Sequence, residues 1–313
     1  MHQQTHYVFG PVPSRRLGNS LGVDLVTFKA CSFDCVYCQL GRTTEQTLER
    51  RRFVPPEAVL GEVEAALGSG AAVDYVTLSG SGEPTLSSDL GRVLAGIKAV
   101  TAVPAAVLTN GSLLWREDVR EELAAADLVV PSLDAGRQEA FERVNRPQGL
   151  DVAQVARGLR DFTLGYAGAV WLEVMIVAGA NDSAEEAEAI VRALEGARVD
   201  RVQLNTVARA PAEAWAEPVS AERLAELGGV LEAVAPVDII STYSRAGHES
   251  YRADVAEAVL ATLARRPCGA AELAASLGQA PALVIKHIEE LERQGKVERV
   301  VLGGSVQYRA RCG

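Results

Sequence analysis

The sequence predicts an α/β protein: a large domain of parallel strands and crossover helices, barrel-type or doubly wound, followed by a small domain of three helices and a hairpin. Three observations carry that expectation. Short continuous apolar runs alternate with Ala/Glu/Arg-rich segments of helical period, and buried parallel strands read as continuous runs. Each apolar run ends in small, polar or charged residues, which parallel α/β folds gather on one rim. Beyond residue 250 that alternation stops and helices follow one another directly.

In chain order, an irregular opening with Pro11, Pro13 and Arg15-Arg16 leads to a first strand, Leu21 to Phe28. Strands follow at Tyr75 to Ser79, Ala105 to Thr109, Leu128 to Leu133, Val170 to Val177 and Val202 to Thr206. Between them fall helices at Pro56 to Leu67, Asp89 to Ala99, Arg116 to Ala125, Val152 to Phe162 and Ala184 to Leu194, where apolar residues recur at helical spacing. With a boundary between 248 and 249, helices at Ala253 to Ala264, Ala270 to Ser276 and Ala280 to Gln294 are separated by turns at Pro267 and Gly278. A hairpin from Val297 to Tyr308 turns on Gly303-Gly304, a pair suited to tight-turn backbone angles. Three helices and a two-stranded wing make the winged helix-turn-helix pattern, dividing the chain into 1–248 and 249–313.

Of the 313 residues, 48% are hydrophobic and 23% charged, the balance of an ordinary globular protein. Charged residues interrupt every apolar stretch before the roughly 18 residues a membrane span needs. Met1 to Gly10 carries no basic-then-apolar signal. A cytoplasmic protein without a membrane partner is expected. The net charge of −10 is uneven, since residues 251–313 hold nine Lys and Arg against seven Asp and Glu, leaving −12 on the rest. A body of that sign repels a phosphate backbone, and the tail is only mildly basic.

Three of the five cysteines fall in Cys31-Ser-Phe-Asp-Cys35-Val-Tyr-Cys38, a C-x3-C-x2-C spacing. Such crowding is a poor disulfide framework, and structural zinc wants two separated ligand pairs, of which the second is missing. Three thiolates on one loop suit an iron-sulfur cubane whose fourth iron has no protein ligand. Cys268 and Cys312 read as a small core residue and a terminal thiol.

With Tyr37 directly before the third cysteine and the motif set after the first strand, the chain resembles the radical S-adenosylmethionine superfamily over about residues 8–210. The resemblance implies a partial (β/α)6 TIM-type barrel followed by the winged helix-turn-helix-like domain. It implies an oxygen-sensitive 4Fe-4S cluster on Cys31, Cys35 and Cys38, S-adenosyl-L-methionine on the open iron, and an electron donor such as flavodoxin or ferredoxin. One-electron reduction would then give methionine and a 5′-deoxyadenosyl radical that takes hydrogen from a substrate, the cofactor carrying the hard chemistry. Gly80-Ser81-Gly82-Glu83-Pro84, with serine in place of one glycine of the family's Gly-Gly-Glu-Pro, would hold the methionyl ammonium through Gly80, Gly82 and Glu83. By the same resemblance Thr109, Asn110, Ser132 and Asp134 approach the methionyl and ribose groups, and Asn145 and Arg146 reach the carboxylate. Gln203 and Asn205 would border the adenine, and Tyr37 would stack near it.

Taken singly, a strand-end Ser, Asn or Asp is more often a helix cap or turn residue than a ligand. The sequence identifies no catalytic group; the ionisable candidates are Lys29 and Glu173. Asp24 and Glu173, charges inside strand-like runs, fit a solvated barrel mouth or a salt bridge.

A narrower resemblance rests on Phe9-Gly-Pro-Val-Pro-Ser-Arg-Arg-Leu-Gly18, Ser132-Leu-Asp-Ala135 and Phe141-Glu-Arg-Val-Asn-Arg-Pro147, which are similar to a branch related to the wybutosine-synthesis enzymes of tRNA. Those enzymes carry a second cysteine set upstream and a lysine that activates pyruvate. No cysteine precedes Cys31, so that reaction is not carried over. Arg15-Arg16 suits anion binding or plain ion pairing. Lys286, His287, Arg293 and Lys296, interleaved with Glu289, Glu290 and Glu292, fit a recognition helix or a solvated face. The substrate expected through the C-terminal domain is tRNA, a peptide or a protein. The competing readings are an iron-sulfur regulator that binds DNA through that domain and a peptide-modifying radical enzyme. A cradle assembled from several strand ends favours an enzyme over a sensor.

Overall fold

A computed structural model describes residues 6–14, 16–208, 211–240, 252–265, 267–277, 279, 281–302 and 305–311. Arg15, the Gly278 and Gly303-Gly304 turns, Cys312 and the expected boundary at 248/249 lie outside the described residues. The strands are β1 (Val8–Ser14), β2 (Gly18–Val23), β3 (Ala30–Cys31), β4 (Glu45–Gln46), β5 (Tyr75–Leu78), β6 (Ala105–Thr109), β7 (Leu128–Pro131), β8 (Ala169–Ile176), β9 (Arg201–Thr206) and β10 (Val237–Ile239). Helices α1 (Pro56–Gly68), α2 (Leu90–Val100), α3 (Glu117–Leu123), α4 (Gln138–Val144), α5 (Val152–Gly165), α6 (Ala184–Ala193) and α7 (Ala221–Leu231) fill the crossovers. The sheet order β1-β2-β5-β6-β7-β8-β9-β10 is parallel from β2 onward, with β1 antiparallel on one edge. The expected strand-helix alternation is therefore present, and the short β3 and β4 pair apart from the main sheet.

The opening is strand rather than irregular. Its prolines are tolerated because β1 is an edge strand, where a missing N–H costs no ladder bond on the free side, and the register slips between Phe9 and Val12. β2 starts earlier and stops earlier than the Leu21 to Phe28 run. The chain turns at Asp24, whose carboxylate accepts from the Ser81 N–H at 3.0 Å, and whose own N–H donates to Tyr7 O at 2.8 Å. Asp24 thus braces a loop from a buried position and does not face a solvated mouth.

Helices start where side-chain oxygens meet free backbone N–H groups: Asp151 for α5, Ser183 for α6 and Ser220 for α7. Alternate strand residues divide between two layers. Val76, Val107, Val129, Leu172 and Leu204 face the helices in one continuous core. On the inner face Ala106, Leu128 and Val130 pack around Leu17, which the β1–β2 turn carries across the sheet. The adjoining Arg16 guanidinium reaches Glu173 on β8 at 2.7 Å and Gln203 on β9 at 3.2 Å. The turn thereby fills the amino end of the lumen with one apolar and one ion-paired side chain.

After the described main body come α8 (Arg252–Arg265), α9 (Ala270–Leu277), α10 (Pro281–Arg293) and a hairpin of β11 (Val297–Leu302) and β12 (Ser305–Ala310). They share a core of Val259, Leu263, Leu273, Val284, Ile288 and Tyr308, in which Cys268 is buried as expected. Leu283 of α10 packs on Phe9 and Val12 of β1, and Arg299 of β11 donates to Ala208 O at 3.4 Å. His287 is 5% exposed, so it belongs to this core and not to an outward recognition surface. Arg293 pairs with Glu290 on its own helix.

Candidate active site

The cysteine loop is tied on both flanks to the strand-end loops. Ala30 O accepts from the Glu83 N–H at 3.0 Å, while the N–H groups of Asp34 and Val36 donate to Asn145 O and Val144 O at 3.0 and 2.9 Å. Phe33 meets Phe141 of α4 edge-on with ring centroids 5.3 Å apart. These contacts leave Cys31, Cys35 and Cys38 free and half-buried. A nitrogen donor meets each sulfur: Asn110 Nδ2 at 3.5 Å from Cys31, Asn145 Nδ2 at 3.5 Å from Cys35, and Lys29 Nζ at 3.0 Å from Cys38.

Burial pushes the Cys31 thiol up to about 12, with the Glu83 charge adding to it. Burial also lifts Cys35 well above the ordinary thiol value, helped by Asp134. Burial alone would depress Lys29, but the negative sulfurs outweigh it and hold the ammonium protonated above its usual range. The thiols ionise when a metal binds them, since coordination deprotonates a thiol outright.

This donor set fits a cubane better than a single ion. Tetrahedral zinc, with Zn–S near 2.3 Å, would draw thiolates to within about 4 Å of one another. Three thiolates on one loop with no fourth protein ligand suit a cubane that keeps one iron open, and each sulfur has an N–H donor beside it. Beside them Asn145 Oδ1 is buried without a hydrogen-bond partner, an acceptor awaiting a donor from a bound group.

Glu83, 2% exposed, is the hub of the next layer. Its Oε1 accepts from Thr85 N at 3.0 Å, Thr85 Oγ1 at 2.6 Å and Thr109 Oγ1 at 2.6 Å, and its Oε2 from Asn110 N at 2.7 Å. Burial raises its pKa and these donors pull it back. The preceding glycines are structural necessities. Gly80 has φ +132, and a Cβ on Gly82 would stand 1.9 Å from Ala30 O. Ser81 makes no such approach, which accounts for the serine between two glycines.

Asp134 sits across the site, buried. Its Oδ2 accepts from the Tyr37 hydroxyl at 2.5 Å and Asn145 Nδ2 at 2.6 Å, its Oδ1 from Met175 N at 2.9 Å. Burial pushes its pKa up to about 6. An acid whose folded pKa lies above its unfolded value favours the folded state when protonated. Its contribution is therefore complete below about pH 4 and lost as pH rises through 6, a change of about 3 kcal/mol. Urea titrations of the cluster-free protein at pH 4 to 7 are expected to show that slope in the native chain and a flatter one in Asp134→Asn.

On the inner wall, Glu173 accepts from Asn205 Nδ2 at 2.9 Å, Ser132 Oγ at 3.4 Å and the Arg16 guanidinium. Of the two readings of Arg16, ion pairing is the one observed. Gln203 lies deeper than Asn205, on Arg16, and away from the strand ends. Arg146, with φ +48, directs Nη1 to Glu213 at 2.6 Å beside Asp34. The structure thus brings Tyr37, Glu83, Thr109, Asn110, Asp134 and Asn145 together around the cysteines, with Ser132, Glu173 and Asn205 below. Sequence reading passed over Ser32 and Ser112, whose hydroxyls lie 2.6 Å apart beside Asn110; a contact across 80 positions leaves no local signal. A separate cavity of about 660 Å³ lies between the ends of β9 and β10 and the hairpin, lined by Val207, Pro218, Leu224, Ile240, Val301 and Val306. Its wall is mostly apolar, with Thr206, Glu217 and Arg299 as polar members, and it lies apart from the cysteines.

The family description "Radical SAM superfamily" matches residues 25–194. The chain is 34% identical over 307 residues to "GTPase Obg" of Brachyspira hyodysenteriae, covering 97% of this chain but 45% of that protein's length. It is 32% identical over 305 residues to a UPF0026 protein of Methanocaldococcus jannaschii, covering 96% of this chain and 94% of the other. Among solved structures, TYW1 with a lysine-pyruvate adduct bound superposes with a TM-score of 0.53 at 17% identity, over 69% of this chain and 74% of that one, a likeness of fold. Among the described residues no helix is long and apolar enough to cross a membrane. The cofactors are a 4Fe-4S cluster and S-adenosylmethionine, and the chain belongs to the radical SAM superfamily of enzymes.

Proposed function

We propose that the chain cleaves S-adenosylmethionine reductively at a 4Fe-4S cluster held by Cys31, Cys35 and Cys38, and uses the resulting radical to abstract hydrogen from a macromolecular substrate, of which tRNA is one candidate. The observation that carries this reading is that each cysteine sulfur meets its own N–H donor inside a cradle of strand-end polar groups. When bound, cluster and cofactor supply a 5′-deoxyadenosyl radical; the protein's part is to bind, orient and shield.

Glu83 Oε2 takes a single hydrogen bond where a carboxylate oxygen can take two, leaving room for the methionyl ammonium. The backbone at Gly80 and Gly82 flanks it. Asn145 Oδ1 offers an unused acceptor, and Arg146 next to it is ion-paired to Glu213 and Asp34. Thr109, Asn110, Ser132 and Asp134 line the methionyl and ribose side, and Tyr37 and Asn205 border the adenine, while Gln203 is taken up by Arg16. Glu173, ion-paired to Arg16 on the lumen wall, is a substrate-facing polar group more than a proton-transfer base, because three donors occupy its oxygens. Helices α8 to α10 and the β11–β12 hairpin form a winged unit that meets the substrate, with a small flavodoxin or ferredoxin as reductant. Burial of His287 and the packing of Leu283 on β1 weigh against a DNA-reading α10.

The test is anaerobic reconstitution of the full chain, reduction with dithionite and incubation with S-adenosylmethionine, with 5′-deoxyadenosine and methionine as readouts. Both products are expected, and their loss in Cys35→Ala. A fully loaded cluster that leaves the cofactor intact would sink the enzyme reading and bring the regulator forward.

A further inference from the structure

We propose that Lys29 is a positioning residue for the iron-sulfur centre, its buried ammonium donating to the Cys38 sulfur and holding the cluster's reduction potential up. The inference rests on the cluster reading above and adds a role that the cysteine motif does not contain.

Lys29 is 3% exposed. Its backbone sits at φ +57, a region non-glycine residues seldom occupy. Three backbone bonds hold it there: its N–H donates to Ser81 O at 2.6 Å, and its carbonyl accepts from the N–H groups of Thr44 and Glu45 at 3.2 Å each. The segment before the cysteines, the Gly80–Gly82 loop and the segment after the cysteines are therefore pinned at one residue. That clamp aims the side chain inward, and Nζ ends 3.0 Å from Cys38 Sγ.

The charge makes the placement informative. An ammonium removed from water without a counter-ion costs several kcal/mol. Among the described residues no ion pair to a carboxylate is found for Lys29; the group its Nζ meets is the Cys38 sulfur at 3.0 Å. The offset would come from the thiolate sulfur of a bound cluster. Asn110 and Asn145 serve Cys31 and Cys35 as neutral donors, so of the three sulfurs only that of Cys38 receives a donor with a full positive charge. A cubane bound by three thiolates is an anion, and taking up one electron makes it more so. A fixed cation nearby stabilises the reduced form more than the oxidised one, and hydrogen bonds to sulfur and local charge are what tune such potentials.

The experiment is an EPR-monitored redox titration of the reconstituted full chain, comparing wild type, Lys29→Met and Lys29→Arg at equal iron content. At a given potential the ratio of reduced to oxidised cluster in Lys29→Met is expected to fall about tenfold, a shift of about 59 mV for a one-electron couple, with Lys29→Arg close to wild type. In a second measurement, wild-type chain labelled with 15N-lysine is expected to show a nitrogen coupling to the reduced cluster in pulsed EPR. A Lys29→Met midpoint equal to wild type overturns the proposal. So does the absence of coupling, which decides the matter alone if the variant fails to load. A wild-type chain that takes up no four-iron cluster would instead overturn the reading on which the proposal rests.

Discussion

Gly82→Ala is expected to yield a protein that fails to retain the cluster and unfolds roughly 6–12 °C earlier in a thermal melt. The added Cβ would lie 1.9 Å from Ala30 O and 2.9 Å from a Val26 methyl. The first obstacle is backbone, held in place because Ala30 O also accepts from the Glu83 N–H. No rotamer change relieves it, so the cysteine loop or the Gly82–Glu83 segment must move. Ordinary overpacking costs about 1–3 kcal/mol, and a clash between two backbones that share a hydrogen bond lies at or above the upper end. For a chain of this size each kcal/mol is worth roughly 2–4 °C. Ser81→Gly provides the contrast: that position tolerates a side chain, so restoring the family's glycine should leave cluster content unchanged. Wild-type iron content in Gly82→Ala would mean that the close approach to Ala30 does not matter.

Glu83→Gln is expected to weaken S-adenosylmethionine binding about 10- to 100-fold, the factor corresponding to the 1.5–3 kcal/mol of a charge-assisted hydrogen bond. It should also destabilise the cofactor-free chain. The carboxylate accepts from Thr85, Thr109 and Asn110 on both oxygens, whereas an amide brings one acceptor and a donating NH2. In either orientation at least one buried N–H or O–H faces another donor, costing about 1–3 kcal/mol. Equilibrium dialysis of the reconstituted protein measures the first effect and urea unfolding the second. Unchanged affinity with lowered stability would restrict Glu83 to an internal brace.

Periodicity was informative where tertiary contacts agreed with it. The strand at Ala105–Thr109 stands where the apolar run predicts, and helices α1, α2 and α6 begin within a residue or so of their expected starts. α7 escaped notice because Gly228 and Gly229 interrupt its helical pattern; the structure places Gly228 against Leu204 and Val237. β10 is only Val237–Ile239, too short for periodicity to register. β1 was hidden by its prolines. At the site, residue types and strand-end positions were readable, but partners were not. Asn110 reaches Cys31 across 79 positions and Asn145 reaches Cys35 across 110, distances that only the sheet order closes. Arg16 stays open between anion binding and ion pairing in the sequence, which does not show that Glu173 waits on the far side of the sheet.

The Leu17 and Arg16 side chains that stopper the lumen at its amino end also constrain traffic. The turn between β1 and β2, remote from the cysteines, thus takes up space on the inner face that a substrate would otherwise enter from the amino ends of the strands.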